Sequence, residues 1–336
     1  VVRTIWGIHD CVGFGDLNPS ACGYYRICLP LAELARHGWD TCWTSSAGGP
    51  SEEPGIVVAE RFDQITAVPG WAQLRAAGGR KLVYEMDDDP FTVDEVNWLA
   101  QPQFRKADVL ACIRACAALA HLVTVTTEPL AEVFRQFNPN VTVIPNFIPT
   151  ELLNIKRLRH PRLTIGWAGG ASHMRDMAMI AQVWRDVVDE TGARGHFVGV
   201  DYRNMLRPRG FDHTPWENSP RKYYRTIDFD IGLIPIAEHP FARSKSSIKA
   251  LEFAALGIPV IASDCEAYRE FVIDGVTGFL VRTPAQWRDA LLMLVHDQRL
   301  RDEMGRKARE LAAGWTIEEH GWPLWDAAYR TLLEES

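Results

Sequence analysis

The sequence predicts an α/β protein made of two doubly wound parallel halves. Three observations carry that prediction. Short apolar runs rich in Val and Ile alternate with helix-length amphipathic stretches, the pattern of strands joined by crossover helices rather than hairpins. The alternation breaks at Pro145-Asn146 and restarts at Leu163. The 336 residues also leave room for two domains of ordinary size, ~100–200 residues each.

In the first half, residues 4–8 read as a strand. Residues 11–20 (CVGFGDLNPS) carry Gly, Asn and Pro and read as a loop. A helix is expected over 21–36, with Ile27, Leu31, Leu34 and Ala35 on one face and His37-Gly38 ending it. Residues 40–43 and 56–59 are short strands around a loop at 45–54. A short helix over 69–77 stops at Gly78-Gly79. Residues 81–85 form a strand, and Asp87-Asp88-Asp89-Pro90 follows at its C-terminal end. Helix is expected within 104–120 and a strand at 122–125. Thr127 then caps a helix whose Pro129 sits in the first turn, where a missing N–H is harmless. Residues 141–144 supply the last strand of this half.

The second half repeats the pattern. Strands are expected at 163–167, 196–200 and 230–234, with Gly169-Gly170 after the first and a helix from near Ser172. Residues 244–281 (SKSSIKALEFAALGIPVIASDCEAYREFVIDGVTGFLV) form a compound unit. A lysine-bearing polar lead opens a helix over 248–256 that stops at Gly257. A strand over 259–262 follows, then a short helix with Glu266, Tyr268 and Glu270, and a strand over 278–281. The tail is helical over 284–296, 298–313 and 317–333. Ligands of open parallel sheets bind beyond the C-terminal strand ends. The loops there are 13–20, 87–90, 169–175, 235–247 and 264–268.

The bulk numbers narrow the class. An apolar fraction of 47% with 24% charged residues is that of an ordinary globular chain. No apolar run approaches the ~18 residues that span a bilayer. The first ten residues turn polar too soon for a signal peptide, so a cytoplasmic location is expected. A net charge of −7 argues weakly against sequence-independent nucleic-acid binding. A local basic rim is still offered by Arg203, Arg207, Arg209, Arg221, Lys222 and Arg225, then Arg243, Lys245 and Lys249. Seven cysteines show no paired metal spacing. Cys112 and Cys116 share a helix face, but without further Cys or His they are expected to be buried free thiols.

Several motifs together resemble the GT-B glycosyltransferases, most closely the retaining family 4 type. They are VIPNFIP (143–149), IGWAGGASHMRD (165–176), FDIGLIPI (229–236) and the stretch from Lys249 to Val281, which is the specific part. The loop before GYYRICLPLAELARHGWD (23–40) extends the likeness to the first half. The resemblance implies two Rossmann-like domains facing across a cleft, with a last helix crossing back to the first. The corresponding boundaries are 1–148 for the acceptor-side domain, 149–313 for the nucleotide-sugar domain and 314–336 for the returning helix, with Trp322 and Trp325 as anchors. It also implies a nucleotide-diphosphate sugar, a UDP-sugar first, as co-substrate, with no prosthetic group and no metal.

The chemistry required is stabilisation of a departing diphosphate. Backbone N–H groups at a helix start and cationic side chains provide it. By motif alignment Lys245 and Arg175 are the phosphate-binding pair, with Lys249 as the alternate and with Ser246 and Ser247 offering donors at the helix start. Glu252 aligns with the family carboxylate that accepts from both ribose hydroxyls, a task suited to two acceptor oxygens. Gly15, Gly169 and Gly170 allow close backbone approach. His173, Glu266 and Tyr268 are candidate contacts to phosphate, sugar or base. Adjacent aspartates suit a divalent cation, but the GT-B likeness favours Asp88 or Asp89 orienting the attacking hydroxyl. One departure is plain: many relatives carry a glutamate eight positions before Glu252, where this chain has Ser244.

The expected activity is sugar transfer to an acceptor hydroxyl on a glycan, lipid, protein or hydroxymethylated DNA. A DNA acceptor is not favoured by the net charge. The alternatives are a non-catalytic sugar-nucleotide- or partner-binding protein and a sugar-nucleotide epimerase on the same scaffold.

Overall fold

A computed structural model of the chain describes residues 4–9, 21–44, 55–93, 95–96, 101–157, 160–205, 210–217 and 219–334. The glycine-bearing loop with Gly15, the loop over 45–54, and Arg207 and Arg209 lie outside the described residues.

Two six-stranded parallel sheets form the framework. The first comprises β1 (Thr4–Ile8), β2 (Asp40–Thr44), β3 (Ile56–Glu60), β4 (Lys81–Met86), β5 (Leu122–Val125) and β6 (Val141–Val143), in the order β2-β1-β3-β4-β5-β6. The second comprises β7 (Thr164–Gly169), β8 (Arg194–Gly199), β9 (Phe211–Pro215), β10 (Ile231–Ile234), β11 (Val260–Ser263) and β12 (Gly278–Val281), in the order β12-β11-β10-β7-β8-β9. β1 and β3 are buried at every position, as strands covered by helices on both faces must be. β9 escapes a pattern-based reading because it is an edge strand. Asp212, His213 and Thr214 can face water there, and only Phe211 is buried.

The expected helix over 21–36 has a different backbone. It is α at Ala21–Gly23, π at Tyr24–Cys28 and α again at Leu29–Arg36, here α1. Pro30 accounts for this, since it lacks an N–H and its ring would strike the Arg26 carbonyl in a regular helix. The wider turn is closed by the Leu29 N–H on the Tyr24 carbonyl. It also changes which side chains point inward: Ile27, Leu31 and Leu34 are buried as expected, whereas Ala35 is exposed and Glu33 is buried.

The other helices used by the site are α2 (Met174–Thr191), α3 (Pro220–Thr226) and α4 (Ile248–Ala255). The last helix, α5 (Trp322–Glu334), returns to the first sheet. There Trp325, Tyr329 and Leu332 join Ile5, Ile27 and Leu31 in one buried cluster, and Trp322 stacks on His37. Arg26 clasps this junction. Its Nε donates to Glu85 at 2.8 Å, its Nη1 to the Ile144 carbonyl at 2.6 Å and to Asn146 Oδ1 at 3.0 Å, and its guanidinium lies over Trp325. Cys112 and Cys116 are buried free thiols with sulfurs 3.9 Å apart. Among the described residues no helix is long and apolar enough to cross a membrane.

Candidate functional site

A cavity of about 220 Å³ lies between the two sheets. The first half supplies Cys22, Tyr24 and Tyr25 from the helix after β1, and Asp87 and Asp88 from the end of β4. Asn146 enters from the connecting segment. The second half supplies Gly169-Gly170 at the end of β7, His173, Trp216 after β9, Tyr223 and Tyr224 on α3, and Lys245, Ser246, Lys249 and Glu252 at the start of α4. Much of the wall is therefore built from C-terminal strand ends and the segments that follow them, where doubly wound sheets place their ligands.

α4 begins where the polar lead ends. Ser247 stands at its N-cap without a side-chain capping bond, and Gly257 at φ +66° ends the helix beyond Leu256. Glu252, about one turn in, is 5% exposed. Tyr25 donates to its Oε1 at 2.6 Å, and the Tyr25 and Tyr224 hydroxyls are 2.6 Å apart. Burial pushes the Glu252 carboxyl up to about 7, opposed by hydrogen bonds from Tyr25 and Tyr223 and by the Lys249 charge.

Two lysines share the cavity. Lys245 Nζ lies 3.0 Å from Asp88 Oδ1 and 3.4 Å from Ser172 Oγ, above the Phe241 ring. Burial works against both charges, but each outweighs it for the other: the Lys245 pKa is raised and that of Asp88 is lowered. Lys249 Nζ sits over Trp167, and burial brings its pKa down to about 8. His173 is fixed by Asp176 at 2.6 Å, whose other oxygen accepts from the Ala237 N–H. Burial, helped by Lys249, lowers the His173 pKa to about 4. The ring is neutral near pH 7, with the Nδ1 proton directed at Asp176 and Nε2 left as an acceptor.

The expected site residues divide accordingly. Asp88, Gly169, Gly170, His173, Lys245, Ser246, Glu252 and Tyr268 line the cavity. Arg175 does not: it is exposed on the first turn of α2 and lines a smaller hollow that shares Lys245. Lys249, in the first turn of α4, is the second lysine lining the cavity. Asp89 turns away, accepting from the Phe91 N–H and the Thr92 hydroxyl as a turn cap. Glu266 is exposed on the rim of a separate hollow past β11 and β12, which also holds Glu238 and His239. Ser247 stands at the N-cap of α4 outside the cavity lining, and Ser244 is buried, its carbonyl bonded by Thr127. Ser246 accepts from Asn146 at 3.0 Å.

Trp216, Tyr223, Tyr224 and Asn146 are lining residues that the sequence reading does not assign. The aromatic run after residue 215 is the available signal, but without β9 it has no strand end to belong to. Of the expected basic rim, Arg203 pairs with Asp201 and Arg221 with Glu151, so part of its charge is already matched. Cys22, Glu60 and Asp87 bring ligand-type atoms within 4.8 Å of one another. Arg61, 3.8 Å from Glu60, already brings positive charge to that corner.

Residues 162–297 match the family described as glycosyl transferases group 1. That match lies within the second half of the chain. The chain is also similar to parts of the D-inositol 3-phosphate glycosyltransferases of Arthrobacter sp. (30% identical over 137 residues) and Corynebacterium diphtheriae (38% over 121 residues). Those stretches are 39% and 34% of this chain, and they span less than a third of the relatives' own lengths, 30% and 27%. Across the whole chain the fold is that of sucrose-phosphate synthase from Thermosynechococcus elongatus (TM-score 0.71, 16% identity, 99% of this chain and 100% of that one). It is also that of Anabaena Alr3699/HepE, solved with UDP and glucose (TM-score 0.67, 13% identity, 99% of each chain). The chain thus has the GT-B fold, and residues 162–297 carry the likeness to the group 1 family.

Proposed function

We propose that the chain is a glycosyltransferase that moves a sugar from a nucleoside-diphosphate sugar to an acceptor hydroxyl. The observation that carries this reading is the juxtaposition in one cavity of Glu252 with Lys245 and Lys249, all on or just before one helix whose N-terminus faces Gly169-Gly170. A carboxylate suited to a vicinal diol thus lies about one turn from a cation and from N–H dipoles suited to a diphosphate. The likeness to D-inositol 3-phosphate glycosyltransferases, and to neighbours solved with UDP or UDP-glucose, supports a UDP-sugar donor.

In this reading residues 149–313 hold the donor, 1–148 face the acceptor, and 314–336 tie the two together. Trp216 and Tyr223, with ring centroids 5.0 Å apart, offer a wall for the base beside Glu252 on the ribose. The diphosphate replaces Asp88 as the partner of Lys245. Asp88, released, orients the acceptor hydroxyl. His173, presenting Nε2, accepts from a sugar hydroxyl rather than meeting a phosphate. The acceptor oxygen bonds to the anomeric carbon as the carbon–oxygen bond to the diphosphate breaks. Retention follows if attack comes from the face the diphosphate leaves, with the departing oxygen taking the acceptor's proton. Charge grows on the diphosphate in the transition state, so Lys245 and Lys249 stabilise that state most. The two ammonium groups supply the neutralisation a metal would otherwise provide, and the free buried thiols suit a reducing compartment such as the cytoplasm.

A panel of UDP-, GDP- and ADP-sugars, with glycan, lipid, protein and modified-DNA acceptors and with EDTA present, tests this reading by nucleoside-diphosphate release. Release with at least one donor, unchanged by EDTA, is expected. Its absence across the panel overturns the enzyme reading.

A further inference from the structure

Glu252 is already occupied by a side chain of the protein itself. Tyr25 donates to its Oε1 at 2.6 Å, and only 5% of the residue is exposed. A vicinal diol that uses both carboxylate oxygens needs room at Oε1, and the Tyr25 hydroxyl stands there. Tyr25 reaches over from the other half, and it sits inside the π turn Tyr24–Cys28. Such a turn carries one residue more than an α turn and is frequent at functional sites. The cavity with Tyr25 in place holds about 220 Å³, below the ~300–1,000 Å³ of ordinary small-molecule sites.

We propose that Tyr25 is a built-in competitor for the diol seat on Glu252, so that nucleotide binding displaces its hydroxyl and unlatches the first half from the second. This rests on the reading of Glu252 as the diol-binding carboxylate. The latch gives a reason for ordered binding. Tyr25 lies beside Cys22 and Asp88 on the acceptor side, so its departure enlarges the space an acceptor must enter only after the donor has arrived. Tyr224 backs the latch by donating to the Tyr25 oxygen, whose own proton goes to the carboxylate.

The test is isothermal titration of UDP, GDP and ADP into wild type, Tyr25→Phe and Tyr224→Phe at pH 8. A buried hydrogen bond to a charged group is worth roughly a tenfold change in affinity or more. Tyr25→Phe is expected to bind at least one nucleotide about tenfold more tightly than wild type, and Tyr224→Phe not to share that full gain. Equal or weaker binding by Tyr25→Phe overturns the competitor role while leaving the donor-site reading intact. An equal gain in both variants overturns it too, by showing only a general loosening of the tyrosine cluster. No binding of any nucleotide by any of the three proteins overturns both.

Discussion

Lys245 Nζ rests 3.0 Å from Asp88 Oδ1, and this ion pair joins the start of α4 in the second half to the end of β4 in the first. Lys245 is only 14% exposed in its side chain. Its charge therefore always needs a partner, and the proposed reaction exchanges a carboxylate for a diphosphate.

Lys245→Ala is expected to lower kcat by about 10²–10³-fold, with a smaller change in donor KM, because the lost charge acts most on the leaving group. Asp88→Asn should also lower kcat, while donor binding holds or tightens once the competing carboxylate is gone. Steady-state assays of diphosphate release check both. An unchanged kcat in Lys245→Ala would remove this lysine from the chemistry.

Nucleotide affinity should rise with pH through about 7. Burial pushes Glu252 up to about 7, and only the ionised form accepts from both ribose hydroxyls. The dissociation constant should therefore fall about tenfold between pH 6 and pH 8, and Glu252→Gln should flatten that dependence. Stability runs the other way. A carboxyl whose pKa is raised on folding supports the fold at low pH, and that support fades as pH climbs from the unfolded value of 4.5 to about 7. His173, lowered to about 4, opposes it: its contribution is lost as pH falls from 6.5 towards 4. Thermal unfolding of wild type and Glu252→Gln from pH 5 to 8 separates the two, with the carboxyl-dependent slope absent from the variant.

The two glycines after β7 should respond differently to alanine. A Cβ on Gly169 would overlap Lys249 Nζ and come 2.7 Å from Trp167 Cζ2. Gly169→Ala should therefore cost about 1–3 kcal/mol and displace Lys249 from the cavity wall. A Cβ on Gly170 meets nothing within 4 Å. Gly170→Ala should keep the wild-type Tm yet weaken nucleotide binding, because the added methyl stands in the cavity. Thermal shift and titration on the two variants read this out.

Arg26→Met should destabilise the chain by about 3–5 kcal/mol, as removal of one partner from a buried pair does. It leaves Glu85 buried and the Ile144 carbonyl without its 2.6 Å donor. A fall in the urea midpoint checks it. A change within ~0.5 kcal/mol would mean the clasp is dispensable.

Much of this architecture is legible in the sequence alone. Runs such as Ile56 to Ala59 are continuously apolar because both sheet faces are covered, and α4 announces itself between a polar lead and Gly257. Thr127, Pro129 and Gly78-Gly79 mark element ends by local chemistry alone, and the structure keeps them: Thr127 accepts from Leu130 N–H, and both glycines have positive φ. β9 is not legible, since an edge strand needs no apolar alternation. The π turn is missed because its cause, Pro30, acts through a carbonyl one turn earlier.

By itself, then, the sequence determined most of the strands and helices, that they form two parallel sheets, and that Lys249 and Glu252 share one helix with Lys245 in the polar lead before it. Those are properties of local spacing, and 3.6 residues per turn places 249 and 252 on neighbouring turns of one face whatever surrounds them. Only the tertiary structure decided which cations reach the cavity, that Asp88 and not Asp89 faces it, and that Tyr25 comes from 227 positions away to meet Glu252. Such choices depend on how two separately folded sheets are set against each other. That arrangement is held by long-range burial, by Arg26 on Glu85 and the 144–146 segment, and by Trp325 beneath it, and no local pattern encodes it.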